Sequence, residues 1–167
     1  AGAMGTNIQR LGLAAADFGG ERLWGCNDYL GITKPAAIEG IHEAFLRAGA
    51  DVLETCTFRA NRLTMREYGL EATVAEINRT AAGLARRLAD AHSTASQPRF
   101  VAGSIGPSGK LPSADDPTLS DITFDELADV FREQAAGLIA GGCDLLLIET
   151  SQDLLEVKAA ILGIQQA

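Results

Sequence analysis

Residues 143–150 read CDLLLIET: an Asp, an unbroken aliphatic run, then a carboxylate and a hydroxyl before a new helical pattern starts at Ser151. The run is too short for a buried helix, so it reads as a strand covered on both faces, the habit of parallel sheets in α/β proteins. Glu149 then sits where the strand ends, and in parallel α/β folds ligands bind at the carboxyl ends of strands. An unpaired carboxylate buried there would cost on the order of several kcal/mol. Glu149 is therefore expected either to meet a cation or to stay hydrated, and the cost of charge burial favours the cation.

Working outward, the helix before this strand opens on Thr123 and Glu126, a T-x-x-E capping box. It carries Leu127, Val130, Phe131, Leu138 and Ile139 on its inward face and ends at Gly141-Gly142. After the strand, Ser151 can cap a last helix in which Leu154, Val157, Ile161 and Ile164 recur at helical spacing.

Two further runs repeat the pattern. Ala50–Phe58, ADVLETCTF, lies against residues 143–150 so that Asp51 matches Asp144 and Cys56 matches Glu149, each run following a helix that ends in glycine. Side chains alternate along a strand, so Glu54 and Cys56 share one face and Cys56 is expected to project as Glu149 does. Arg99–Ile105, RFVAGSI, is the remaining strand and runs into a loop, GPSG. That loop lacks both the Walker spacing and a GxGxxG fingerprint, so a nucleotide is not expected there. Between these strands, Glu71–His92 carries Val74, Ile77, Ala81, Leu84, Ala85 and Leu88 as one face of a long helix. Earlier, Thr33 and Pro35 open a helix with Ile38, Ile41, Phe45 and Leu46 inward, which Gly49 ends. His42 beside that face reads as a packed structural histidine.

The chain opens with AGAMGT, Ala1 to Thr6, a small glycine-rich loop. Its backbone N–H groups suit an anion such as a carboxylate, and a frayed terminus is the alternative. Strands alternating with long helices imply right-handed βα units and a parallel sheet, either flavodoxin-like or part of a (β/α)8 barrel; the pattern alone does not choose.

Composition narrows the partners. Fourteen Lys and Arg against 22 Asp and Glu leave a formal charge of −8, which opposes a nucleic acid backbone. No apolar run reaches the about 20 residues of a membrane span and no secretory leader is visible, so a cytoplasmic location is expected. The three cysteines, Cys26, Cys56 and Cys143, are widely spaced without a C-x-x-C pair, which argues against a zinc site built from this chain alone.

GAMGT with Gln9, CNDYL, KPAAIEGIHEAFLRAGADVLETCTF, RFVAGSIGPSG, TFDELADVFREQAAGLIAGGCDLLLIET and DLLEVKAAI resemble, in order, the N-terminal part of the homocysteine-binding module of cobalamin-dependent methionine synthases. The resemblance implies that residues 1–167 are a single, incomplete domain, approximately the first half of a (β/α)8 TIM barrel of parallel βα units. It implies a methyltransferase in which zinc activates the homocysteine thiolate. The thiolate then takes a methyl group from methylcobalamin, remade from methyltetrahydrofolate on other modules. It places the substrate amino group on Glu149 and the substrate carboxylate on amides of Gly2, Ala3 and Met4. Cys56, which stands where Asn is usual, and Ser104 complete the substrate-binding candidates.

The family's zinc cysteines lie in the second half of the barrel and do not match Cys26, Cys56 or Cys143. Zinc and cobalamin are thus expected of the complete enzyme and not of this chain alone, which should not transfer methyl groups by itself. Association with the missing barrel half, with cobalamin and folate modules, or with another copy is expected. Two other readings are a non-catalytic half-barrel assembly module and a homocysteine methyltransferase that uses betaine or S-methylmethionine as donor.

Overall fold

The computed structural model describes residues 3–167. Its longer elements are α1 (Met4–Arg10), α2 (Pro35–Arg47), β1 (Val52–Glu54), α3 (Val74–His92), β2 (Phe100–Ile105), α4 (Phe124–Ala140), β3 (Leu145–Ile148) and α5 (Leu154–Gln165), joined by loops and short helical turns. The strands form one open parallel sheet in the order β1-β2-β3. These are the expected parallel βα units, arranged as part of a barrel.

Alternation along the strands sends one set of side chains toward the helices. Leu53 and Val101 pack with Leu46, Ala85 and Ala89. Ile105 joins Leu127, Phe131, Leu138, Ala159 and Ala160, with Leu146 and Ile148 against them. Two Asp residues pin the strand entrances: Asp51 pairs with Arg99 at 2.8 Å, and Asp144 pairs with Arg86 at 2.7 Å while accepting from the Val101 amide. The repeated Gly-Asp-strand pattern therefore has a structural use at both sites.

Several local expectations are corrected. Met4 to Thr6 belong to α1 and not to a loop, and Ala3 precedes the helix in the left-handed region at φ 57°. Thr33 ends a preceding helical turn, where its hydroxyl faces the Tyr29 carbonyl, and Lys34 holds the N-cap position of α2. Asp153, not Ser151, caps α5, because its carboxylate accepts from the Leu155 and Glu156 amides together. Ile139 of α4 points outward.

β3 is covered on one face only. Leu146 and Ile148 meet α4 and α5, whereas Leu145 and Leu147 face the open inner side and are 45% and 38% exposed. In α5 the buried positions are Glu156, Ala159, Ala160 and Gly163, while Leu154 and Ile161 are exposed. The small side chains let α5 approach α4 closely. A Cβ on Gly163 would lie 2.8 Å from the Arg132 amide nitrogen and 3.1 Å from Phe131 Cβ.

The loop after β2 is held from within. The Ser108 amide and hydroxyl both donate to Glu156 Oε1, at 2.7 and 2.6 Å, and Ser113 donates to Asp153. A carboxylate of the protein thus occupies the position that a phosphate would need. His42 is fully buried, and burial pushes its imidazole down to about 4, so it is a neutral packing group. No helix among the described residues is long and apolar enough to cross a membrane.

Candidate functional site

At the carboxyl ends of β1 and β2 lies a cavity of about 240 Å³ lined by Ala3, Met4, Gly5, Asn27, Asp28, residues 54–59, Ser104 and Glu149. Ala3, Met4, Cys56, Ser104 and Glu149, named from the sequence, meet here; Gly2 lies outside the described residues. The first turn of α1 borders the cavity, and first-turn amides of a helix have no partner within the helix.

A hydroxyl network fixes the floor. The Ser104 amide donates to Thr55 Oγ1 at 3.0 Å, the Thr57 hydroxyl donates to the Ser104 carbonyl at 2.8 Å, and the two threonine hydroxyls lie 2.6 Å apart. Gln134 of α4 donates to the Thr57 carbonyl at 2.8 Å. These bonds replace strand pairing beyond Glu54, which is why β1 stops short of the expected Phe58. Gly106 is required by close approach, since a Cβ there would fall 2.7 Å from Phe58 Cδ2.

On that floor the buried Ser104 hydroxyl donates to Glu149 Oε1 at 2.5 Å. Glu149 is held at the strand end because its amide donates to the Ile105 carbonyl, extending the β2–β3 ladder by one residue. Thr150 follows in the left-handed region at φ 62°, so strained backbone adjoins the cavity residue Glu149 as it does at Ala3.

Two further carboxylates border the same space. Glu54 is pushed up to about 7 by burial, then by its hydrogen bond to Glu149 and the like charge there. Asp28 accepts from the Arg59 amide at 3.0 Å and is pushed up to about 6 by burial. Neither Glu54 nor Glu149 forms an ion pair with any cationic side chain among the described residues. Glu54 was within reach of sequence reasoning through its alternation with Cys56. Asp28 was not, because it falls in an aperiodic segment and is buried only by tertiary packing.

Cys56 lies in the wall, 4% exposed, with its thiol donating to the Asn27 carbonyl at 3.4 Å. Burial pushes this thiol well above its ordinary range, so it does not serve as thiolate. Cys26 faces Met65 Sδ at 3.9 Å, and Cys143 packs beneath β2 and β3. These separated thiols do not fit a zinc ion, and among the described residues no group of three or more His, Cys, Asp or Glu is arranged to hold a metal.

The family profile of homocysteine S-methyltransferase matches residues 1–167. A methionine synthase of Mycobacterium tuberculosis (strain ATCC 25618 / H37Rv) is 40% identical over 166 residues, covering 99% of this chain and 13% of that protein. The metallated form of the Escherichia coli homocysteine methyltransferase MmuM superimposes with a TM-score of 0.78 at 23% identity, covering 98% of this chain and 57% of that one. Its oxidized form gives 0.77 at the same identity, with 56% of that chain covered. At that identity the structures speak to the fold alone, and the chain spans about an eighth of its methionine synthase relative and somewhat over half of MmuM. The profile match over the whole length, with the identity to methionine synthase, means that this chain belongs to the homocysteine S-methyltransferase family.

Proposed function

We propose that the cavity binds the amino acid end of homocysteine for methyl transfer to its sulfur. The ammonium group would sit on Glu149, and the carboxylate on amides of Ala3 and Met4 at the start of α1, with Gly2, the remaining candidate, outside the described residues. The observation that carries this reading is that Glu149, braced by Ser104 and without a cationic partner among the described residues, borders one cavity with Ala3 and Met4. An acid at one end and free helix amides at the other are complementary to a zwitterion.

In the complete protein, zinc would hold the homocysteine sulfur as thiolate and methylcobalamin would supply the methyl group. The cysteines of this chain do not fit the metal, so the part assigned here is recognition of the amino acid, with zinc ligands and methyl donor coming from elsewhere. The small share of the methionine synthase relative that this chain spans supports further modules. The open inner face with Leu145 and Leu147 supports a partner, in the form of further barrel units, that covers it.

Calorimetric titration with L-homocysteine tests the reading. Heat that disappears in Glu149→Gln is expected. Absence of heat with the unaltered protein would sink the assignment and favour a non-catalytic assembly module.

A further inference from the structure

Thr150 closes the CDLLLIET run, and the ammonium clamp proposed above makes no use of it. It is exposed, its backbone stands in the left-handed region at φ 62°, and its hydroxyl has no hydrogen-bond partner among the described residues. For a β-branched side chain that conformation is a strained outlier, and nothing at Thr150 itself offsets the strain. Such a residue persists only where the surrounding structure fixes the chain on both sides of it.

Both anchors lead to β2 and the loop that leaves it. On the near side, the Glu149 amide donates to the Ile105 carbonyl and the Ser104 hydroxyl donates to the Glu149 carboxylate. On the far side, buried Asp153 accepts from Ser113 of that loop, through Oδ2 from the amide at 2.7 Å and through Oδ1 from the hydroxyl at 3.0 Å. In the first turn of α5, the fully buried Glu156 accepts from Ser108 of the same loop. Residues 150–152 therefore bridge two anchored points on one neighbour, with the strained turn at Thr150 between them. Asp153 has two tasks here, since its Oδ1 also caps α5 by accepting from the Leu155 and Glu156 amides.

We propose that Asp153 is a positioning residue for the amino acid site: by tying the start of α5 to Ser113 it holds Thr150 in the left-handed region and so keeps the Glu149 carboxylate on Ser104 at the cavity. The inference rests on the homocysteine reading for its ligand, while the brace itself is a property of the free protein. Once the tie to Ser113 is cut, Thr150 relaxes to an ordinary backbone conformation and draws Glu149 off Ser104. Thr150→Gly removes the strain, because glycine enters the left-handed region freely, so in that variant the turn no longer depends on Asp153.

Asp153→Ser separates the two tasks, since serine is itself a good N-cap but has one short acceptor in place of two. Asp153→Asn, also a good cap, sets a donor against one of the Ser113 donors and serves if Asp153→Ser does not fold. Two measurements are made on the full protein: exchange of the Glu149 amide followed by NMR without ligand, and calorimetric titration with L-homocysteine. In Asp153→Ser the Glu149 amide should exchange about tenfold faster and homocysteine should bind about tenfold more weakly, with the helical circular dichroism retained. Adding Thr150→Gly to Asp153→Ser should restore both. Loss of a helix cap alone cannot give that rescue, because Thr150→Gly adds no contact to α5.

Unchanged exchange or unchanged affinity in Asp153→Ser, or a loss that Thr150→Gly does not reverse, overturns the inference while the Glu149 clamp stands. No heat from the unaltered protein overturns the homocysteine reading, and the exchange rates alone then decide whether Asp153 holds Glu149.

Discussion

The Ser104 hydroxyl donates to Glu149 Oε1 over 2.5 Å, so the acid at the end of the third strand is oriented by the second. Ser104 is anchored separately through its backbone, whose amide donates to Thr55 and whose carbonyl accepts from Thr57. Ser104→Ala therefore removes one donor without loosening the floor. A hydrogen bond to a charged group contributes about 1.5–3 kcal/mol, so homocysteine affinity should fall about tenfold or more with the circular dichroism spectrum unchanged. Unaltered affinity would mean that Glu149 is placed by its backbone alone.

The thiols should be inert in the folded protein. Burial and neighbouring acids push Cys26 and Cys143 up to about 12 and Cys56 well above its ordinary range, and only the thiolate reacts readily. Ellman's reagent at pH 8 should label none of the three cysteines within minutes under native conditions, and all of them in denaturant. Fast native labelling of Cys56 would revive a nucleophilic role for it.

Asp28 sets a pH dependence of stability. Its carboxyl rises from 3.8 to about 6 on folding, so the native state binds the extra proton between those values. Stability from this group is full below about pH 4 and is lost as pH rises through about 6. The shift corresponds to a penalty on the order of 3 kcal/mol. Asp28→Asn keeps an acceptor for the Arg59 amide and removes the titration, so its stability relative to the unaltered protein should improve from pH 4 to pH 7 in urea denaturation. A parallel pair of pH profiles would show that Asp28 does not titrate in this window.

The contact between α4 and α5 depends on the absence of a side chain at Gly163. A Cβ there would meet the Arg132 amide nitrogen at 2.8 Å, which no backbone in a packed helix pair can yield to cheaply. Gly163→Ala should destabilise by about 1–3 kcal/mol through overpacking, even though alanine has the higher helix propensity. A drop of about 2–4 °C in Tm per kcal/mol is the readout. A rise in Tm would show that α5 can slide without loss.

Much of this architecture was legible because its signals are periodic. The stripe on α3 and the capping box of α4 reflect burial and hydrogen bonding that any tertiary setting would reward. β1 is shorter than its apolar and threonine run, since Thr55 and Thr57 spend their hydroxyls on Ser104 and on each other. The aliphatic recurrence in α5 does not mark its buried face, because close helix contact selects the small Ala159, Ala160 and Gly163. The strand pattern brings Cys56 and Glu149 to one rim, and the family resemblance adds Ala3, Met4 and Ser104 to it. Asp28 comes from residues 7–33, where no period exists to extrapolate.

The bond from Ser108 to Glu156 makes the loop after β2 self-sufficient. A glycine-bearing turn of this kind would otherwise advertise bare amides to any passing phosphate. Here the counter-ion is covalently supplied by the next helix but one, at a local concentration no solute can rival. The rim at the strand ends thereby keeps the cavity bordered by Glu149 without a second, competing anion berth beside it.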